Sequence, residues 1–264
     1  ATTTLNKVRL YTFTSSTPVL TLSSSSYSAS DKWGRAVRLV GNYLIISAPT
    51  SNTVYVYAAN DFSTHSRGDL IHTISKSTTS TATFGSDIAA HGDVLIIKDG
   101  EYNGNYGRVY RYSLATGNEV TNSAWPFDGS AQWSIYHVLA VNDTYAAFRN
   151  VPLGNGLTLI NLSTNAVTFF TTATMPSSAA FLGDYIVFGD GYRNSQQGIV
   201  RLYSLSTGAE YQPSGWPIYG MTTNSYFGND FTSGTTKGHL MSSCNSPKSL
   251  VIGYERQHRT LIVK

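Results

Sequence analysis

The chain has 264 residues, enough to bury the core of a large domain, and only 12% of them are charged. Ser, Thr, Asn, Gly and Tyr take up the difference, which suits strands and turns rather than surface helices. A formal charge of +3 with no Lys/Arg cluster argues against a nucleic-acid partner; the single cysteine, Cys244, excludes an internal disulfide and a Cys-rich zinc centre; and no apolar run reaches the ~18 residues of a membrane span.

Two strand signatures recur along the chain. One is an alternating strand centred on an aromatic residue: Val8–Tyr11, Val54–Tyr57, Val109–Tyr112, Leu157–Ile160, Val200–Tyr203 and Val251–Tyr254, at spacings of 43 to 55 residues. Period-two alternation places one set of side chains on each face of a sheet. The other is a tight turn followed by an apolar run: Gly41–Ile46, Gly92–Ile97, Asn142–Ala147, Gly183–Phe188 and, in degenerate form, Lys237–Met241. Gly-Asn, Gly-Asp and Asn-Asp accept the positive φ that short hairpins need. The uncharged Leu-Ile-Ile and Ile-Val-Phe runs predict strands buried on both faces.

An aromatic-Gly pair opens several units, as Trp33-Gly34, Phe84-Gly85 and Phe227-Gly228, with Trp133-Ser134 in the matching place of a fourth. A residue repeated in this way predicts a packing wedge, with the glycine letting neighbouring backbones approach. Longer stretches repeat too: Tyr112-Ser-Leu-Ala-Thr-Gly117 followed by Trp125-Pro126 returns 91 residues later as Tyr203-Ser-Leu-Ser-Thr-Gly208 followed by Trp216-Pro217. Asn161-Leu-Ser-Thr-Asn165 is a fainter copy between them.

Repeats of this length predict an all-β single β-propeller made of four-stranded blades. One domain spans 1–264, with repeats at 1–23, 33–75, 84–126, 133–171, 178–217 and 227–264. Six copies of the aromatic strand point to six blades, the first reduced to the hairpin Val8–Leu22 with Thr2–Leu5 as a third strand. Five blades, with the two chain ends sharing one by strand exchange, is the alternative.

The aromatic-Gly opening, the Gly-Asp turn, the Leu-Ile-Ile strand and the following aromatic strand together resemble FG-GAP repeats, the blades of integrin-α-type β-propellers. Phe84–Tyr112 and Trp33–Tyr57 match best. The resemblance implies binding of proteins, sugars or surfaces without catalysis. It also implies calcium held in Asp-x-Asp-x-Asp-Gly loops, a pattern from which this chain departs. The nearest candidate metal loop is Asp99-Gly-Glu101-Tyr-Asn103-Gly-Asn105, where oxygen-bearing side chains fall at alternate positions. Its counterpart, Asp190-Gly-Tyr-Arg-Asn194, lacks the second carboxylate. The expectation is therefore no cofactor, with calcium at 99–105 as the exception to check.

No zinc-binding histidine spacing, nucleophile elbow or P-loop is present among the motifs. A glycosidase would need paired carboxylates; Asp87 and Asp230, each just after an aromatic-Gly pair, are the candidates. Asp93, Asp143 and Asp184 occupy repeated turn positions and are assigned to the turns. Arg67-Gly68-Asp69 matches an integrin-recognition tripeptide in an insertion between strands. Asn142-Asp-Thr144 and Asn161-Leu-Ser163 match the glycosylation pattern.

Sugars dock on aromatic faces, so Tyr102, Tyr106 and Tyr192 in matching loops, with Trp125 and Trp216, are the candidate ligand-binding residues. The alternative for the tryptophans is packing on the outer strands of their blades. The composition is similar to that of bacteriophage virion and tail proteins, and nothing at Ala1–Thr4 resembles a signal peptide. The reading is a non-catalytic binding or assembly module on a virion or extracellular surface. It would contact other virion or surface proteins, or cell-surface glycans, with no membrane insertion. A secreted propeller lectin and a propeller glycoside hydrolase are the alternatives.

Overall fold

A computed structural model of the chain describes residues 7–12, 16–23, 32–76, 83–130, 133–152, 156–172, 176–190, 198–219, 242–243, 250–253 and 260–263. The chain divides into two compact units, Ala1–Ser130 and Ala131–Lys264. Both are built from antiparallel sheets. The helical turns among the described residues are single ones, at Pro49–Ser51 and Tyr102–Asn105.

The first unit begins with a hairpin of β1 (Lys7–Leu10) and β2 (Leu20–Ser23). A four-stranded meander follows: β3 (Val37–Val40), β4 (Tyr43–Ala48), β5 (Thr53–Ala58) and β6 (Leu70–Ser75). Next come β7 (Phe84–His91), β8 (Val94–Asp99) and β9 (Arg108–Ser113). Two short strands, β10 (Glu119–Val120) and β11 (Phe127–Asp128), both pair with β9.

The second unit contains the meander β12 (Trp133–Val141), β13 (Tyr145–Pro152), β14 (Gly156–Asn161) and β15 (Val167–Thr171). A second meander is β16 (Ser178–Leu182), β17 (Tyr185–Asp190), β18 (Ile199–Ser204) and β19 (Ile218–Tyr219). A three-stranded sheet, β20 (Ser242–Ser243), β21 (Leu250–Gly253) and β22 (Thr260–Val263), completes the described elements.

The turns and apolar strands predicted at Gly41–Ile46, Gly92–Ile97, Asn142–Ala147 and Gly183–Phe188 are present, and Lys237–Met241 lies outside the described residues. Gly41-Asn42, Gly92-Asp93 and Gly183-Asp184 each join two strands in two residues, with glycine φ near +55° (54°, 55° and 55°). Asn142 performs the same service with its side chain, its Oδ1 accepting from the N–H groups of Thr144 (2.9 Å) and Tyr145 (2.6 Å).

In the β3–β6 sheet the apolar runs are buried on both faces because the sheet packs against a neighbour on each side. In β5, Val54 and Val56 face a core shared with Phe84, Ile88, Leu95 and Ile97 of the following sheet. The intervening Tyr55 and Tyr57 face the opposite way, toward Trp33 and the β1–β2 hairpin residues Val8, Leu10, Leu20 and Leu22. In the second unit Leu157, Leu159 and Phe170 pack on Phe181, Ile186, Phe188 and Tyr203.

The aromatic-Gly pair is a wedge between sheets. Phe84 is fully buried, edge-on to Tyr110 (5.4 Å) and Tyr112 (6.3 Å). Its N–H donates to Asn52 Oδ1 of the preceding sheet at 2.9 Å. A Cβ on Gly85, where φ is +87°, would stand 3.1 Å from Val54 Cγ2. Trp33-Gly34 repeats this against the first hairpin, with Gly34 at φ +86° beside Val8. Phe227-Gly228 and Cys244 lie outside the described residues, and Trp133 opens β12.

The Tyr-Ser-Leu-x-Thr-Gly repeat makes a second lock. Leu114 N–H donates to Asp93 O at 2.8 Å, and Leu205 N–H to Asp184 O at 2.9 Å. The Asp93 carboxylate accepts from Ser113 Oγ (2.8 Å) and Ala115 N–H (2.6 Å), so this turn aspartate serves the turns as assigned. The terminal glycine then seats the outer strand of the preceding sheet. A Cβ on Gly117 would fall 2.7 Å from His72 Nδ1 of β6, and one on Gly208 would fall 2.8 Å from Phe170 of β15. His72 Nε2 also bonds Leu114 O at 3.0 Å. In the fainter copy Asn165 takes the left-handed place, at φ 61°.

Gly117→Ala and Gly208→Ala are each expected to cost about 1–3 kcal/mol in urea unfolding, through positive φ and overpacking together. Asn165→Gly is expected to be tolerated. A second expectation concerns alkaline pH. Burial, with Glu119 nearby, holds the Tyr112 hydroxyl above its ordinary value. The unfolded chain therefore loses this proton first, and stability falls as pH rises above about 10. Melting temperature followed against pH should drop less steeply in Tyr112→Phe; an unchanged slope would show that other groups control the alkaline limb.

Candidate binding site on the loop between β8 and β9

The loop from Asp99 to Arg108 joins the ends of β8 and β9, which pair Asp99 with Arg108. Asn103 (φ 51°, ψ 55°) and Gly104 (φ 73°, ψ 34°) are both left-handed, the arrangement of a type I′ turn. The turn closes when the N–H groups of Tyr106 and Gly107 both reach Tyr102 O, the latter at 3.2 Å. The returning chain lies on Gly129, whose N–H donates to Gly107 O at 2.8 Å; a Cβ there would stand 1.9 Å from Tyr106 O.

The loop is braced from beneath. Arg108 grips Asp128 of β11 with two nitrogens, Nε to Oδ1 and Nη2 to Oδ2, the latter at 2.7 Å. Its guanidinium carbon sits 3.6 Å from the centre of the Tyr102 ring. The bond to Asp128 holds the Arg108 pKa above its ordinary value despite partial burial. With Asp128 about half exposed, the pair orders the loop more than it stabilises the fold. Asn103 and Gly104 are exposed at the tip, and Tyr102 and Tyr106 are half-buried on either side.

Of the four predicted metal-ligand residues, Asp99, Glu101 and Asn103 are described with their side chains. Asp99 is buried, and its Oδ1 accepts from Thr83 Oγ1 at 2.7 Å. Glu101 meets the same threonine through its backbone N–H, at 2.9 Å. Asn103 stands at the exposed tip, and the side chain of Asn105 is not among those described. No group of three His, Cys, Asp or Glu side chains among the described residues could hold a metal ion.

Of the candidate ligand aromatics, Tyr102 and Tyr106 share this loop, and Tyr192 lies outside the described residues together with 191–197. Trp125 is 1% exposed and presents no ring face to solvent. The Asn122 side chain caps its turn, accepting from Ala124 N–H at 2.9 Å and Trp125 N–H at 3.2 Å. Trp216 is half-buried against the cluster of Ala180, Val187, Val200 and Leu202. Both Trp-Pro bonds are cis.

Of the two candidate catalytic carboxylates, Asp87 is among the described residues. Asp87 is 2% exposed, in register with Lys98, and accepts from the N–H of Ile88 at 2.9 Å; Asp230 lies outside the described residues. Burial lowers the Lys98 pKa, partly offset by the charges of Asp87 and Asp99. In the 59–69 insertion the Asp69 carboxylate turns back to accept from Ser66 N–H at 2.6 Å, and the Arg67 N–H donates to Asp61 Oδ1 at 2.7 Å. The side-chain oxygens of Asn142 and Asn161 both cap turns.

The Arg108–Asp128 clamp is absent from the sequence-based expectations. Its available signal is the Asn103-Gly104 dipeptide, a strong hairpin-turn marker that makes 99–108 a strand connection. Nothing in the two-residue β11 announces that it returns to β9.

No family model matches the chain, and neither does any curated protein. Solved structures do match. The structure of U3-55K aligns with a TM-score of 0.51 at 10% identity, covering 81% of this chain and 57% of that one. The Cps50 (Swd1) β-propeller domain of Myceliophteria thermophila aligns with a TM-score of 0.49 at 12% identity, covering 83% of this chain and 63% of that one. The chain thus spans about three fifths of the length of either. Identity this low speaks to fold alone: this is an all-β chain with the β-propeller fold.

Proposed function

We propose that this chain is a non-catalytic binding and assembly module whose contact element is the 99–108 loop. The observation that carries this reading is the loop's construction. Its tip is exposed, and its base is fixed by Arg108 stacked on Tyr102 and paired with Asp128. An ordered loop on a rigid scaffold loses little freedom on binding. Asp87 and Asp99, by contrast, are shut inside the sheet.

The finer reading is a decoration or host-adhesion protein of a virion, working at an outer surface against virion proteins or a receptor. The resemblance to FG-GAP repeats and the charge-poor, Ser/Thr/Asn-rich composition support it. The carbohydrate reading is favoured by one specific observation: two half-buried tyrosines flank an exposed Asn-Gly tip, which places aromatic rings beside an amide group.

The test is binding of the purified chain to particles and to host cells, with a glycan array in parallel. Tyr102→Ala and Asn103→Lys are expected to weaken binding by roughly tenfold or more, as centrally placed contact residues do, with melting temperature nearly unchanged. Signal on the array that disappears in Tyr102→Ala would select the lectin reading. Full binding by both variants would remove this loop from the contact surface.

A further inference from the structure

The tip residues Asn103 and Gly104 carry a chemistry separate from binding. A glycine after an asparagine leaves its backbone nitrogen without a neighbouring Cβ, so that nitrogen can attack the asparagine side-chain carbon Cγ. Both residues are exposed, and nothing lies within 4 Å of where a Gly104 Cβ would be. Steric shielding is therefore absent.

The backbone conformation is what prevents the reaction. Around the Cα–C bond, Cβ is offset from N by about 120° in tetrahedral geometry. With Asn103 at ψ 55°, Gly104 N then lies opposite Cβ, nearly as far from Cγ as that bond allows. Ring closure needs the two eclipsed, with the reacting atoms within about 3–3.5 Å. That rotation cannot occur while Tyr106 and Gly107 both donate to Tyr102 O, because it dismantles the turn they close.

We propose that Asn103 is a spontaneous deamidation site kept latent by the folded turn, reacting only when the loop opens. In the open loop Gly104 N bonds to Asn103 Cγ and the Cγ–Nδ2 bond breaks. Nδ2 leaves as ammonia, taking up the proton released by Gly104 N. Water then opens the cyclic imide. Attack at the side-chain carbonyl gives aspartate; attack at the main-chain carbonyl gives isoaspartate. Isoaspartate lengthens the backbone by one methylene and cannot re-form the type I′ turn. The inference rests on the turn geometry and not on the function proposed for the loop.

The test is peptide mapping by mass spectrometry of the full-length chain, aged at mildly alkaline pH under native conditions and in denaturing urea. The second Asn-Gly pair, Asn155-Gly156, reports the intrinsic rate in urea. Conversion of Asn103 is expected to match Asn155 in urea and to be roughly tenfold or more slower in the native chain, as a local opening equilibrium imposes. Equal rates in both conditions would overturn the gating. An Asn103 that stays intact in urea while Asn155 converts would overturn the site itself.

Discussion

A strand with apolar side chains on both faces has to be covered twice, and that requirement organises this chain. β4 and β5 show it directly. Ile45, Val54 and Val56 are buried by the sheet that follows, and Leu44, Ile46, Tyr55 and Tyr57 by the hairpin that precedes. No single four-stranded meander could supply both covers. The β3–β6 sheet is therefore stable only between its neighbours, the kind of dependence that makes a sequence pattern return along a repeat chain.

Two sites hold neighbouring sheets at the required spacing, and both depend on missing side-chain atoms. At one, Gly85 lets Phe84 slot in against Val54. At the other, Gly117 and Gly208 admit His72 and Phe170. These contacts differ in chemistry while the glycines repeat: an imidazole with a hydrogen bond to Leu114 O in one case, a hydrocarbon ring in the other. The geometry of approach is what the repeat preserves, not the identity of the residue that approaches.

This distinction explains what the sequence revealed. Gly92-Asp93 and the Leu-Ile-Ile run were legible because a positive φ and a doubly buried strand are local demands that only a few residues satisfy. Phe84-Gly85 was legible as a wedge because it recurs. The Arg108–Asp128 clamp was not, since it depends on β11 returning to β9 through a two-residue pairing with no alternation to mark it. Alternate oxygens at Asp99, Glu101, Asn103 and Asn105 marked the loop in the sequence but not its backbone path, in which the left-handed Asn103 and Gly104 turn the chain back and Asp99 Oδ1 accepts from Thr83. Trp125 and Trp216 shared a motif but differ in burial, which depends on the surroundings of each turn rather than on the motif.

The same accounting indicates where the chain is free to vary. At the end of the β7–β9 sheet that carries Gly92-Asp93, the polar groups are engaged: the Asp93 carbonyl and carboxylate hold Leu114, Ser113 and Ala115. A substitution there would loosen the contact with the preceding sheet as well as the turn. At the opposite end, the loop from Asp99 to Arg108 is anchored by its base, through Asp128, Gly129 and the Tyr102 carbonyl, and its tip takes no part in sheet packing. Residues 103 and 104 can therefore change without disturbing the core. An exposed tip on a fixed base is where a repeat scaffold can gain or lose a ligand while keeping its fold.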